Sequence, residues 1–235
     1  MNWDEIYQQG IEILEERSVN VDVSHRCLLQ CPFCSRQNVF GNDMVKESHS
    51  YGDLRYSDAI HLGNTFNTLS LCGQISDPIY HTNFIEIFKV FLTTSCKQIH
   101  IHTTGSHKKK TFWTELYEAS SKTDKHIKFI FGIDGIDEKS SIHRVNQKAK
   151  QALDAMFMGV EYAKKHSNIE IAWQYIPFAY NEDDLETAMN IAKENNISFI
   201  LLKSGRFRSA GNLLEPPKNK DLYNTKQFAE RIEIK

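Results

Sequence analysis

Apolar runs rich in β-branched residues alternate along the chain with segments of helical periodicity. Six of these runs are predicted to be strands, at 19–24, 68–72, 98–103, 127–134, 169–176 and 197–203. Helical patterns lie at 3–16, 57–66, 82–94, 110–121, 146–165 and 181–195. The last helix begins at Asn181 with an N-cap residue and an acidic first turn, as helices favour. This alternation predicts an α/β fold of parallel strands joined by helices.

The number of repeats allows two architectures. Six strand-helix units fit a partial (β/α)6 barrel, but periodicity alone equally permits a doubly wound open sheet. The segment 38–55 carries little periodicity, so we expect a long polar loop there. The polar tail contains Pro216 and Pro217, which predicts irregular structure until a short helix near 224–232. The expected divisions are an N-terminal helix at 1–17, a core at 18–208 and a C-terminal tail at 209–235.

Composition and charge narrow the function classes. A chain of 235 residues with 40% hydrophobic residues can bury one substantial core, so one domain is expected. The 28 basic and 30 acidic residues leave a net charge of −2, and no overall field points to nucleic acid. Neither a leader-like start nor a long apolar window is found, so we expect a soluble, cytoplasmic protein without a membrane partner. The five cysteines suit a reducing compartment.

Three cysteines lie within eight residues, directly after the first predicted strand: Cys27, Cys31 and Cys34. Three thiolates on one short loop indicate a metal or cluster site. A structural zinc takes four ligands, usually as two spaced pairs, whereas Cys72 and Cys96 each stand alone. Iron-sulfur clusters are held by clustered thiolates, and three ligands for four irons would leave one iron open. Zinc and a chance grouping remain the alternatives.

The CxxxCxxC spacing, with the aromatic Phe33 before the last cysteine, resembles the signature of the radical S-adenosylmethionine (SAM) superfamily. The resemblance implies that Phe33 contacts SAM. The resemblance implies a partial (β/α)6 barrel and a [4Fe-4S] cluster on the three cysteines, whose open iron chelates SAM. It further implies reductive cleavage of SAM, hydrogen abstraction from an unidentified substrate by the 5′-deoxyadenosyl radical, and an external electron donor of flavodoxin or ferredoxin type. The alternatives are an activase or peptide- or protein-modifying radical SAM enzyme, and a non-catalytic iron-sulfur or metal-binding module.

Ligands of parallel α/β folds bind at the carboxyl ends of the strands. Gly73 and Gln74 follow strand two at the place of the GGEP motif of the superfamily, and the resemblance implies that they contact SAM. A plain turn glycine is the alternative at Gly73, and Cys72 is expected to be a packed thiol. The TTG turn at 103–105 resembles the TNG turn of relatives of the molybdenum-cofactor and sulfatase-maturing enzymes.

Strand four ends in the sequence GIDG at 132–135, and Arg144 follows. This stretch resembles the SxDG sequence and later arginine of the SPASM and twitch branch of the superfamily. The resemblance implies that Arg144 holds the SAM carboxylate through the paired donors of its guanidinium, and that Asp134 binds the ribose or organises the loop. A solvated turn aspartate is the alternative. Gly132 replaces the serine of that branch, and no cysteine follows Cys96 to hold an auxiliary cluster.

The remaining strands contribute further polar candidates. His100 and His102 share one face of strand three, and His102 is a candidate to face substrate, although ordinary hydrogen-bonded histidines give the same pattern. Gln174 on strand five is the candidate for contact with SAM or substrate, and Leu202 on strand six for packing on adenine. Lys203 is placed to face an anionic substrate, or to be solvated as strand-end lysines commonly are.

Overall fold

The computed structural model describes residues 17–32, 34, 36, 52–73, 75–204, 214–223 and 230–234. The expected N-terminal helix at 3–16 and residues 38–51 of the expected polar loop lie outside the described residues, as do Phe33 and Gln74. None of the helices in the described ranges combines the length and the hydrophobicity that a membrane span requires.

The described elements follow the predicted order closely. The strands are β1 Ser18–Asn20, β2 Thr68–Leu71, β3 Gln98–Thr103, β4 His126–Gly132, β5 Ile169–Tyr175, β6 Ser198–Lys203 and β7 Glu230–Ile234. The helices are α1 Tyr56–Thr65, α2 Phe84–Thr93, α3 Lys110–Ser120, α4 Ser140–His143, α5 Ala149–Ala163 and α6 Leu185–Glu194. The predicted helices at 57–66, 82–94, 110–121, 146–165 and 181–195 are confirmed. The single turn of α4 is too short to show helical periodicity in a sequence.

The order of the strands decides between the two architectures. The strands pair in chain order from β1 to β7, and the first six run parallel. A doubly wound sheet would instead reverse its strand order at a switch point. Residues from all seven strands line one cavity, so the sheet curves around that cavity. The partial barrel is therefore confirmed, and the open sheet is wrong.

The outer face of the sheet is apolar. Successive side chains of a strand point to opposite faces, and those of the outer face pack against the helices in the main core. The largest buried side chains of this face are aromatic and include Phe129, Phe131, Trp173 and Tyr175. Burial of this aromatic surface is the main favourable contribution to the stability of the barrel.

The inner face of the sheet is mostly polar. It contributes to the cavity wall the polar side chains Ser70, His100, His102, Lys128, Gln174, Arg231 and Glu233. Its buried apolar cluster consists of Ile130, Ala172 and Ile200. Closed barrels fill their interior with layers of branched aliphatic side chains, whereas this interior keeps a cavity of about 710 Å³. The sheet thus leaves room for a polar ligand.

The seventh strand corrects the expectation for the tail. The helix predicted near 224–232 is wrong where the structure describes it, because Glu230–Ile234 form β7, which pairs antiparallel with β6. The run alternates polar and apolar residues, the two-residue period of a strand, but five residues are too few to outweigh the irregular sequence before them. The register opposite Leu202 places Arg231 on the inner face.

A network of charges joins the amino ends of β4 and β5 to β7. Lys128 Nζ lies 2.9 Å from Glu170 Oε1 and 2.7 Å from Glu233 Oε1. Glu170 also contacts His126 Nε2 at 3.1 Å and accepts a hydrogen bond from Ser198 Oγ at 2.9 Å. The hydrogen bonds from His126, Lys128 and Ser198 outweigh burial and lower the pKa of Glu170 to about 2. Ion pairs therefore connect β4, β5 and β7 on the inner face of the sheet.

We expect this network to make the stability depend on pH. Between about 4.5 and about 2, Glu170 takes up a proton in the unfolded chain but not in the folded one, so the free energy of unfolding falls as the pH is lowered through that range. Glu170→Gln should flatten this dependence, by at most about 1 kcal/mol because the carboxylate is partly exposed. Urea denaturation at several pH values measures the effect, with the exposed Glu118→Gln as control. An unchanged slope in Glu170→Gln would contradict the assignment.

Candidate functional site

A cavity of about 710 Å³ extends from the carboxyl ends of the strands into the interior of the barrel. This volume lies in the range of ligand-binding pockets. The predicted site residues that line it are Cys27, Cys31, Cys34, Gly73, His102, Arg144, Gln174 and Leu202. Asp134 and Lys203 are not part of the wall, and Phe33 and Gln74 are outside the described residues. Tertiary folding therefore brings together most of the candidates that the sequence indicated.

Hydrogen bonds hold the cysteine loop on both sides. The amide of Asp77 donates to the carbonyl oxygen of Arg26 at 3.0 Å. The amide of Gln30 donates to the carbonyl oxygen of Val145, also at 3.0 Å. The buried side chain of Arg36 donates to main-chain oxygens of both the cysteine loop and the loop after β2. The loop that follows β1 is thus attached to the loops that follow β2 and β4.

The thiols of the loop lie in a buried environment. Burial raises the pKa of Cys27, and it raises the pKa of Cys31 to about 12 although the charge of Arg144 acts in the opposite direction. The amide of Leu29 donates to Cys27 Sγ at 3.4 Å, as expected beside a thiolate. Buried thiols of this kind stay protonated unless a metal deprotonates them by coordination. The donor set therefore suits a cationic iron cluster.

The arrangement of the thiols also bears on the kind of metal site. Among the residues that the structure describes, no three His, Cys, Asp or Glu side chains stand close enough to ligate one ion. The ligands of a four-iron cluster bind different irons and stand farther apart than those of a single ion. All three cysteines line the cavity.

The other two cysteines have different surroundings. Cys72, expected to be a packed thiol, is only partly buried and lines the same cavity as the cysteine loop. Cys96 is buried, and Thr94 Oγ1 donates to its Sγ at 3.4 Å. The expectation of a packed thiol is thus wrong for Cys72, because this residue directly follows β2 and lines the cavity.

The loop after β2 requires glycine at position 73. A β-carbon at Gly73 would lie 1.2 Å from the main-chain oxygen of Ser76, which no side chain can tolerate. Asp22 holds the turn, because its Oδ1 accepts from Ser76 Oγ at 2.7 Å. The turn needs glycine for its own geometry, and the same lack of a side chain leaves the backbone of Gly73 open to the cavity.

Three buried polar side chains, Asp77, Gln147 and Asn181, tie neighbouring strand ends together. Asp77 Oδ2 accepts from the amide and the hydroxyl of Thr104 at 2.8 and 2.7 Å, which joins β2 to β3. Gln147 Nε2 donates to the carbonyl oxygens of Thr104 and Gly132 at 2.8 and 2.9 Å, which joins β3 to β4. Asn181 Nδ2 donates to main-chain oxygens after both β4 and β5. The rim of the cavity is therefore fixed by side chains.

Asp134 does not reach the cavity. It is fully buried, and its Oδ2 lies 2.9 Å from Arg144 Nε and 2.7 Å from His143 Nδ1. Its Oδ1 accepts from the amide of Ile176 at 2.9 Å. Burial alone would raise the pKa of Asp134, but the charge of Arg144 and the hydrogen bonds from His143 and Ile176 hold it below its usual value. These contacts hold the loop after β4 together and position Arg144. They correspond to the second of the two roles expected for Asp134, organisation of the loop rather than ribose binding.

Gly132 makes room for the guanidinium. A β-carbon at Gly132 would lie 2.8 to 3.0 Å from the Nη2, Cζ and Nη1 atoms of Arg144. The glycine that stands where the SPASM branch has serine therefore lets Arg144 lie across the end of β4. There the guanidinium lines the cavity, and its charge acts on Cys31.

The inner face supplies wall residues that were not predicted from the sequence to bind a ligand. Lys128, Arg231 and Glu233 line the cavity together with His100. The alternating pattern of 231–234 is the sequence signal that identifies the last strand, but only pairing with β6 shows which side chains point inward. The same alternation places Lys203 on the opposite face from Leu202, so the expectation that Lys203 faces the cavity is wrong.

Comparison with solved structures identifies the fold. The chain resembles native anSMEcpe with bound AdoMet and Cp18Cys peptide at 16% sequence identity and a TM-score of 0.52, over 77% of this chain and 48% of that one. Native anSMEcpe with bound AdoMet gives 17% identity and a TM-score of 0.52, over 77% of this chain and 50% of the other. anSME is an anaerobic sulfatase-maturating enzyme of the radical SAM superfamily. No protein-family model and no curated protein matches the sequence.

These comparisons confirm that the chain has the partial-barrel fold of the anSMEcpe structures. The chain spans about half the length of the anSMEcpe structures. The likeness covers the barrel, and the chemistry of the site rests on the residues described above.

We expect Asp134→Asn to destabilise the protein strongly. The substitution removes one member of a buried ion pair and leaves the charge of Arg144 without compensation, which typically costs about 3–5 kcal/mol. Asp154→Asn is the matched control, because Asp154 pairs with Lys150 on the exposed face of α5, and we expect a change within about 0.5 kcal/mol. Urea denaturation at neutral pH measures both. Equal effects of the two substitutions would show that the Asp134 pair is not buried in solution.

Proposed function

We propose that this chain is a radical SAM enzyme that binds one [4Fe-4S] cluster through Cys27, Cys31 and Cys34 and abstracts a hydrogen atom from a substrate in the barrel. The observation that carries the proposal is the position of the CxxxCxxC loop, which opens onto the large cavity of a barrel with the anSMEcpe fold. One-electron reduction of SAM, which yields the 5′-deoxyadenosyl radical, is the chemistry that the cluster supplies when bound. The electron comes from an external donor of flavodoxin or ferredoxin type.

The wall residues have distinct roles in this proposal. Arg144 holds the SAM carboxylate with the part of its guanidinium that Asp134 does not engage. The backbone of Gly73, with Gln74 beside it, accepts hydrogen bonds from the SAM amino group. Gln174 and Leu202 lie on neighbouring strands, β5 and β6, and contact the adenosine part. Gly73, Arg144, Gln174 and Leu202 reach one cavity from the ends of four different strands, as ligand sites of parallel barrels do.

Other residues support the site without contacting SAM. Asp134 positions Arg144 through their ion pair and has no path to the ribose. His102 faces the substrate from the inner wall, whereas Lys203 on the outer face has no part in the proposal. The charge of Arg144 near Cys31 offsets the negative charge of the thiolates, which a buried site requires.

The first test is iron binding coupled to SAM cleavage. Anaerobically reconstituted protein should bind about four irons per chain and, with dithionite and SAM, release 5′-deoxyadenosine slowly in the absence of substrate. The variant with Cys27, Cys31 and Cys34 replaced by Ala should lose both properties. Cys72→Ala and Cys96→Ala are the controls and should retain the iron, because their thiols lie outside the loop. A triple variant with a full cluster, or a wild type that releases no deoxyadenosine, would refute the proposal.

The second test separates SAM binding from cluster binding. Arg144→Lys should weaken SAM binding by roughly ten- to a hundredfold, because a point charge cannot replace the fixed paired donors of a guanidinium. Lysine keeps a positive charge beside Asp134, so the iron content should stay at the wild-type value. Equilibrium dialysis with labelled SAM and iron analysis on the same sample provide the two readouts. Unchanged SAM affinity in both Arg144→Lys and Arg144→Ala would remove Arg144 from the site.

A further inference from the structure

The acidic side chains of the cavity wall are already engaged. Asp77 accepts from the amide and the hydroxyl of Thr104. Glu233 pairs with Lys128 at 2.7 Å. Neither carboxylate of the described wall is therefore available to attract a cationic ligand.

The basic side chains of the wall are engaged as well, except for one. Lys128 lies between Glu170 and Glu233, and Arg144 pairs with Asp134. Arg231 lines the cavity, remains accessible to solvent and has neither an ion pair nor a hydrogen-bond acceptor among the described residues. The polar wall thus presents one guanidinium whose charge no described carboxylate balances.

Two histidines on β3 lie within the electrostatic reach of Arg231. Burial, with a smaller contribution from the charge of Arg231, lowers the pKa of His102 to about 4. Burial and the charge of Lys128 lower the pKa of His100, to which Arg231 also contributes. Both imidazoles are therefore neutral at pH 7, and each offers one N–H donor without competing for an anion by charge. No described side chain accepts a hydrogen bond from either ring at the cavity.

We propose that Arg231, together with His100 and His102, binds an anionic group of the substrate, a carboxylate or a phosphate. A guanidinium presents paired donors in the plane that such groups match. This inference rests on the proposed function, since it names the substrate class for the same cavity. In this proposal Arg144 remains the contact of the SAM carboxylate.

The two anion contacts lie on different parts of the cavity wall. Arg144 lies in the loop region after β4, whereas Arg231 lies within β7, paired with Leu202 of β6. Arg144 acts on Cys31 electrostatically, while Arg231 acts on the histidines of β3. A substrate anchored by its anion at Arg231 extends across the cavity toward the cysteines. Such an anchor would orient the substrate so that its other end meets the radical.

The test measures anion binding directly in the full chain. The anaerobically reconstituted, SAM-saturated protein is dialysed to equilibrium against radiolabelled succinate, with the neutral diamide succinamide and inorganic phosphate as competitors. Wild type should bind succinate, phosphate should compete, and succinamide should compete at least tenfold less effectively. Arg231→Gln should weaken succinate binding about tenfold or more, Arg231→Lys less, and His102→Gln, which keeps a donor, less again. Lys164→Gln, which removes an equal charge from an exposed position just after α5, is the control and should bind as wild type.

The SAM affinity of Arg231→Gln shows whether Arg231 binds a carboxylate of the substrate or the carboxylate of SAM. This affinity should stay within about twofold of wild type. A large loss of SAM affinity would assign Arg231 to the SAM carboxylate and overturn the inference. Equal competition by succinamide, or unchanged succinate binding in Arg231→Gln, would overturn it as well. Arg231-dependent succinate binding by a protein that forms no cluster and releases no deoxyadenosine would refute the proposed function and leave the anion site standing.

Discussion

The loop after β4 and the wall of the cavity are held in place by the buried ion pair between Asp134 and Arg144. A carboxylate that is removed from water persists only where charges and hydrogen bonds replace its hydration. Arg144 supplies the charge, and His143 and the amide of Ile176 supply the hydrogen bonds. The same contacts present the guanidinium to the cavity near Cys31. The stability of this loop and the electrostatics of the candidate cluster site therefore depend on one interaction.

A second constraint is that the two faces of the sheet have different roles. The aromatic outer face packs against the helices, so the barrel does not need an apolar interior to be stable. The interior is free to carry polar groups, provided that each finds a partner or faces a solvated cavity. Lys128 meets this requirement with Glu170 and Glu233, whereas Arg231 meets it through the cavity. Arg231, the candidate for substrate binding, is thus a charged side chain that faces the solvated cavity rather than a described carboxylate.

Much of the fold was predictable because its signals are local. The strand at 98–103 matches the prediction residue for residue, and the other five predicted strands differ by a few residues at their ends. The exception is β7, whose five residues alternate correctly but too briefly to be distinguished from an irregular tail. Of the residues that line the cavity, the cysteine loop and Arg144 were predicted from spacing, whereas Arg231 was missed; Lys203, predicted to face the substrate, is not on the cavity wall.

The alternation of strands and helices, their apolar faces and the three closely spaced thiols can be read from the sequence, because periodicity and spacing are properties of neighbouring residues. The order of the strands, the inward direction of His102 and Arg231, and the burial of Asp134 behind Arg144 follow only from the folded chain. Each of these depends on pairing between residues far apart in the chain. A shift of one residue in the register of β7 would turn Arg231 away from the cavity without changing a single local propensity.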